Sequence, residues 1–527
     1  MDQQKENRKK ILLFFGLFIG LYAAFMIFSI VMQSKGAEYP TGDFRFFRHD
    51  IFKDFTTINN AICDLDPYRT KLSNNPPIIL IFAYIFSQMA DYSGYDIFTM
   101  RFAVEDQKVQ DSLLLFFGLC VVGFLVVVMI HAYLQNKGEN NKSLGERMKR
   151  YVLAGLIGFA LLISTPSIFL FDRGNYLAVT IILFMLWAVF EEERPDSVLG
   201  AVFVALCAAT KVYPIYILLL YVVEKKFKKL TWALATGAVV TLVPIFFLKG
   251  GYIENVKEFL LGVLGFGGGS GLYSIYYSVG VTALVGFVGR CFGFLVNPRI
   301  TKAVWLLMGV LITFMALPFL KKEKTNWKKL LVITAIMVWL TPNSYLYNTA
   351  YLFAPIFIML MNRDKMKKSD YVYVIISALL LVPKAYMYLP NTEGVGVEVP
   401  LEYNYVNIAV LIDGLLYLGM IVYYFAENML ALAREDRKLL NGKPMSSYSL
   451  SRKQSLALSV FLGVAIITLL STMIWFVHDT VLACHDSIFD FVDARLNGVT
   501  IGYKRAFEYG LARGRVGFIF PLVVMFR

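Results

Sequence analysis

The stretch Asn7-Arg-Lys-Lys-Ile-Leu-Leu-Phe-Phe-Gly-Leu-Phe-Ile-Gly-Leu-Tyr-Ala-Ala-Phe-Met-Ile-Phe-Ser-Ile-Val-Met32 decides the fold. A helix rises ~1.5 Å per residue, so the apolar run from Ile11 to Met32 is long enough to cross a hydrocarbon layer of ~30 Å. It is too long for a signal-peptide core and ends without a small-residue cleavage site. With Arg8, Lys9 and Lys10 ahead of it, it reads as an uncleaved anchor whose N-terminus stays in the cytoplasm.

Similar runs recur along the 527 residues, which are 57% hydrophobic and only 17% charged. That exceeds what one soluble core hides. Barrel strands would show short alternating segments, whereas long runs suit helices, which satisfy their backbone within lipid. The fold class is therefore an all-α polytopic membrane protein. A net charge of +13 does not point to nucleic acid here, because Lys and Arg fall in short clusters at 142–150, 225–229, 321–329, 363–368 and 434–453. That is the pattern of inward-facing loops, and alternate loops then face outward.

On this topology the spans fall at 11–32, 113–134, 151–171, 175–190, 198–210, 212–224, 230–248, 301–320, 329–342, 345–361, 370–388, 405–426 and 455–477, about 12 to 13 in all. Residues 38–111 form the first outer loop. Residues 250–297 form the second, with a re-entrant or surface helix near 279–295. Its run Gly265-Phe-Gly-Gly-Gly-Ser-Gly271 lacks the Lys-Ser/Thr of a phosphate loop and reads as a linker. The runs 198–210 and 212–224 fall below the ~17 residues a span needs, so they read as a hairpin stopping partway beneath a water-filled cavity, capped by Lys211 and Tyr213-Pro214. Residues 1–453 make one transmembrane module. Residues 454–527 add a span and an outer amphipathic tail whose pattern echoes the N-terminal region, as if opening a second module, with an accessory surface helix as the plainer explanation. The five cysteines contain no CxxC pair; Cys63 and Cys484 both fall outside, where a disulfide is permitted.

Ionisable groups held at a membrane surface or within it are functional candidates. The first set is Asp43, Arg45, Arg48, His49, Asp50 and Asp54, directly after the first span. The second is the turn Phe171-Asp172-Arg173-Gly174-Asn175, polar enough to bind a hydroxylated ligand, although Gly and Asn also simply form turns. The third is Lys211 beside Tyr213, where a cation interrupts an apolar hairpin; attraction of a phosphate competes with snorkelling. The fourth is the outer turn Thr341-Pro-Asn343-Ser-Tyr345-Leu-Tyr347-Asn348, whose amides and aromatic faces suit a sugar, with an interfacial tyrosine belt as the plainer explanation.

Four elements in order resemble one family. Gly42-Asp43 in the first loop, Asp66-Pro67-Tyr68, Asn75-Pro76-Pro77 leading into an embedded helix, and Lys211-Val-Tyr-Pro214 are similar to motifs of glycosyltransferase family 87 in the GT-C superfamily, and Arg173-Gly-Asn175 stands at that family's polar turn. The resemblance covers about residues 1–390. It implies a GT-C-like bundle with outer-face loops. It also implies transfer of a sugar, a hexose or pentose with mannose among them, from a polyprenyl-phosphate donor to a lipid or glycan hydroxyl at the extracytoplasmic face of the plasma membrane. Asp43 aligns with the catalytic aspartate and would be the general base. Lys211, with Arg45 and Arg48 behind it, would neutralise the leaving phosphate. Asp50, Asp172, Arg173, Asn175, Tyr213, Asn343, Tyr345 and Tyr347 would line the substrate site. No cofactor is expected, though Asp50 and Asp54 could hold a divalent metal. Partners are the lipid-linked donor, the acceptor and membrane lipids. The competing readings are a transporter or flippase of lipid-linked substrates, and a polymerase or ligase of cell-surface glycans.

Overall fold

The structure, a computed structural model, describes residues 2–34, 52–68, 73–92, 95, 100–137, 143–268, 278–285, 298–342, 344–362, 366–383, 388–390 and 405–440. Helix α1 (Asp2–Ser34) starts among the cations and carries the whole opening apolar run. Among the described residues five helices are long and apolar enough to cross a membrane: Arg8–Phe28, Gln107–Lys137, Phe227–Phe247, Ala303–Lys322 and Val410–Leu432. The chain is an all-α polytopic membrane protein. The span expected at 455–477, the tail 478–527 and Cys484 lie outside the described residues.

Several expected runs take a different form. The run at 151–171 is broken into α5 (Leu144–Leu162) and α6 (Thr165–Asp172), which meet at 56°. Ser164 Oγ donates to the Leu161 carbonyl at 2.6 Å, and Pro166 in the first turn of α6 has no N–H, so the helical ladder cannot pass the joint. The segment expected as the first outer loop is partly helical, holding α2 (Lys53–Ile62) and α3 (Pro77–Ser87). Pro76 is extended and Pro77 occupies the first turn of α3, where a missing N–H costs nothing. Helix α3 then buries Ile79, Leu80, Ala83 and Phe86 beside α4 (Gln107–Lys137).

The segment expected as the second outer loop carries a helix not foreseen there, α11 (Tyr252–Gly268), ahead of the stretch 279–295 where a re-entrant or surface helix is expected. It lies on the first loop: Tyr68 meets Phe259 at 5.8 Å between ring centres, and a Cβ on Gly262 would stand 3.2 Å from the Ser73 carbonyl. Its Ile253, Leu260 and Leu261 remain exposed. The glycine run expected as a linker is helical as far as Gly268; a chain already committed to a helix continues through glycines at a cost of only ~1 kcal/mol each. Of the segment expected to re-enter, residues 278–285 are described; Val279, Val281 and Ala283 are buried, and Ser278 pairs with Tyr345.

The polar groups divide between two ends of the bundle. At one end Lys10 Nζ donates to the carbonyls of Met359 (3.1 Å) and Asn362, and Lys328 meets Asp370 at 2.5 Å and Glu427 at 3.1 Å. Lys229 holds Glu191 at 2.8 Å, Lys329 and Lys226 both hold Glu224, and His131 lies 3.2 Å from Glu193. Cations withdrawn from water need such partners. The opposite end carries the turn after α6, Lys211 and the Thr341–Tyr345 segment.

The predicted hairpin links the two. Helix α8 (Leu199–Thr210) begins beside Glu191, close enough that a Cβ on Gly200 would stand 2.6 Å from its Oε1. Twelve residues carry it only ~18 Å, well short of the ~30 Å layer. The chain turns there through the 3-10 segment Tyr213–Ile217 and returns as α9 (Leu218–Val223).

Candidate active site

The turn at 172–175 is shaped by one glycine. Helix α6 ends in a Schellman motif: Asn175 N–H reaches the Leu170 carbonyl at 3.1 Å, and Gly174 N–H the Phe171 carbonyl at 2.9 Å. Gly174 has φ of 59°, and a Cβ there would lie 2.7 Å from the Phe55 Cβ. Both the backbone conformation and the close approach of α2 require glycine.

Onto this turn docks the start of α2. Phe52 N–H donates to the Asp172 carbonyl at 2.8 Å and Asp54 N–H to the Arg173 carbonyl at 3.1 Å. The Asp54 carboxylate takes a fork from Arg173, at 2.5 Å to Oδ1 and 3.3 Å to Oδ2, and a third hydrogen bond from Asn175 Nδ2 at 2.7 Å. Asn175 Oδ1 meanwhile accepts the Leu177 N–H at 2.8 Å, capping α7 (Leu177–Glu193). Below, Phe55 stacks on Tyr176 at 5.7 Å, and Tyr176 donates its hydroxyl to Asn59 at 2.6 Å. Asn59 in turn donates to the Tyr92 hydroxyl at 3.1 Å; burial pushes that phenol up to about 12, so it stays neutral.

Lys211 stands about one turn deeper. Thr210 Oγ1 lies 2.9 Å from Thr180 Oγ1, in the first turn of α7, which fixes the tip of α8 just beneath the 172–175 turn. Lys211 leaves the helix in an extended conformation, and its Nζ sits 5.9 Å from the centre of the Tyr213 ring. Among the described residues this ammonium takes no hydrogen bond and no ion pair. Asp54 acts on it electrostatically. The charges of Asp54 and Arg173 reach Tyr347 as well. The Tyr347 ring also meets Phe169 at 5.4 Å and Tyr345 at 5.5 Å.

The structure thus brings together Asp172, Arg173, Asn175, Lys211, Tyr213, Tyr345 and Tyr347 from the expected set. Asp43, Arg45, Arg48, Asp50 and Asn343 lie outside the described residues. Arg173 and Asn175, expected to meet substrate, direct hydrogen bonds to Asp54, and the expectation that Asp54 could hold a metal with Asp50 meets a carboxylate already facing a guanidinium and an amide. The central place of Asp54 had no local signal, since its partner is 119 residues away. Asn59 was missed for the same reason.

Embedded helices, a recessed ammonium and a polar rim define a polytopic membrane protein with a site between its short helices and the loops above. The family model of glycosyltransferase family 87 matches residues 75–342, about half of the chain, and the chain belongs to that family. No curated protein matches it. The matched region includes Pro76-Pro77, Arg173-Gly174-Asn175 and Lys211 to Pro214; Asp43 and Asp54 precede it, and Tyr345 and Tyr347 follow it. The protein is a membrane glycosyltransferase.

Proposed function

We propose that the chain transfers a hexose or pentose, mannose among the candidates, from a polyprenyl-phosphate sugar to a hydroxyl of a lipid or glycan acceptor at the extracytoplasmic face of the plasma membrane. The observation that carries this reading is the state of Lys211. Lys10, Lys229, Lys328 and Lys329 are all engaged at the other end of the bundle, while Lys211 stands at the tip of a truncated helix and takes no hydrogen bond or ion pair among the described residues. A recessed cation of that kind calls for an anionic ligand. A phosphate carried on a membrane lipid reaches such a recess from the side.

Asp43 then removes the proton of the acceptor hydroxyl as its oxygen attacks the anomeric carbon. The bond from that carbon to the phosphate oxygen breaks, the electron pair leaves with the polyprenyl phosphate, and Lys211, supported by Arg45 and Arg48, offsets the charge that develops there. Tyr213, Tyr345 and Tyr347 present faces and hydroxyls to the sugar. The test is to incubate the purified protein in liposomes with defined polyprenyl-phosphate hexoses and pentoses and follow products by mass spectrometry. An acceptor heavier by one sugar, with free polyprenyl phosphate released, supports the reading. Movement of intact lipid-linked sugar across the bilayer without transfer would replace it with a flippase, and transfer of a whole oligosaccharide with a polymerase or ligase.

A further inference from the structure

We infer that the flank of the bundle carries a seat for one anionic phospholipid, with an acyl chain in a groove between α4 and α5 and the phosphate on Lys137 and Arg147. The seat stands apart from the transfer chemistry. The groove holds about 500 Å3 and is lined by Val122, Val126, Met129, Ile130 and Tyr133 of α4 and by Tyr151 of α5. On α4 these residues recur at helical spacing, so they form a single stripe. Val122, Val126 and Tyr133 are exposed.

Length, aromatic level and charge select the occupant. From Val122 to Tyr133 the stripe rises ~16 Å, about half of a ~30 Å hydrocarbon layer, which suits the chains of one leaflet and is too short for a second spanning helix. Tyr133 and Tyr151 close the groove, and tyrosines favour the depth of the headgroups. One turn beyond them on the same helix faces come Lys137, exposed, and Arg147, partly so. The register of the two helices is fixed at this level. Arg150 Nη1 donates to the Gln135 carbonyl at 3.3 Å and to Asn136 Oδ1 at 3.0 Å, and Asn136 Nδ2 donates to the Arg147 carbonyl at 3.4 Å. Two cations therefore flank the mouth, while the neighbouring carboxylate of Glu146 is turned onto Ser143, accepting its N–H at 3.3 Å. Cations just past an aromatic level attract an anionic headgroup. His131, between Ile130 and Tyr133, pairs with Glu193 at the ion-paired end of the bundle, so the leaflet is the one on that side. Lys211 lies at the opposite end, which separates this seat from the phosphate assigned to it.

The experiment takes the full chain in detergent and titrates it with phosphatidylglycerol or with phosphatidylcholine of identical acyl chains, read by native mass spectrometry and by thermal unfolding. Phosphatidylglycerol should form a one-to-one adduct and raise Tm at concentrations where phosphatidylcholine does neither. A cation near a headgroup is worth about 5-fold in affinity, so Lys137→Gln and Arg147→Gln should each bind phosphatidylglycerol about 5-fold more weakly. Lys149→Gln removes the same charge from another face of α5 and should bind as wild type does. Val126→Trp, which fills the groove from an exposed position, should abolish the adduct. Equal binding of the two lipids, an equal loss in Lys149→Gln, or wild-type binding by Val126→Trp would each overturn the inference. Displacement of phosphatidylglycerol by a lower concentration of polyprenyl phosphate would overturn it too, giving the groove to the donor. So would a dimer that Val126→Trp dissociates, giving it to a second copy. Should Arg147→Gln fail to fold, Lys137→Gln, at the exposed end of α4, decides alone: weaker binding supports the seat and unchanged binding refutes it.

Discussion

At the scale of single residues, two positions carry most of the argument, and they differ in how they show themselves. Lys211 was visible in the sequence, since a cation between two apolar runs is conspicuous wherever the chain folds. Gly174 was visible only as a turn former; its necessity comes from Phe55, which approaches from a helix on another stretch of the chain. Gly174→Ala should therefore destabilise the protein by more than the ~1 kcal/mol that a left-handed conformation alone costs, since α2 must also shift away. Thermal unfolding in detergent measures this, and a variant as stable as wild type would show that α2 does not sit against the turn. Asp54 was legible as a charge near the membrane but not as the partner of Arg173.

At the scale of elements, length was the informative quantity. The truncated hairpin followed from two runs too short to span, and a helix starting at Pro77 was foreseen only through the resemblance of Pro76-Pro77 to its family. The break between α5 and α6 was hidden, because Ser164 and Pro166 interrupt a run whose mean apolarity hardly changes. The turn joining α9 to α10 (Phe227–Leu242) makes a prediction of its own. Burial pushes the Glu224 carboxyl up, but the hydrogen bonds and charges of Lys226 and Lys329 outweigh it and hold the group below its ordinary value of 4.5. A group depressed in the folded state stabilises above its unfolded value and loses that contribution as pH falls through the folded one. Wild type should thus be more stable than Glu224→Gln at pH 7, with the gap closing on acidification below about pH 4.5. A gap independent of pH would show that the ion cluster does not form.

At the scale of the whole molecule, the all-helical membrane class was settled by composition and run length alone, whereas pairings such as Lys328 with Asp370 and Glu427, which knit distant helices, had no sequence signal. Their clustering at one end supports the proposed orientation, with that end cytoplasmic. In a background lacking native cysteines, Lys108→Cys should react with an impermeant maleimide on intact cells and Lys228→Cys only after permeabilisation; the reverse pattern would invert the topology. The central claim is that Asp43, after the first helix, and Lys211, whose ammonium takes no hydrogen bond or ion pair among the described residues, act on one lipid-linked sugar. The most direct measurement is a donor titration of sugar transfer in proteoliposomes by wild type, Asp43→Asn and Lys211→Ala. Folded Asp43→Asn should show no transfer above background, and Lys211→Ala should need about 10- to 100-fold more donor, the worth of a hydrogen bond to a charged group, at unchanged acceptor demand. Wild-type transfer by Asp43→Asn, or an unchanged donor requirement in Lys211→Ala, would contradict the account.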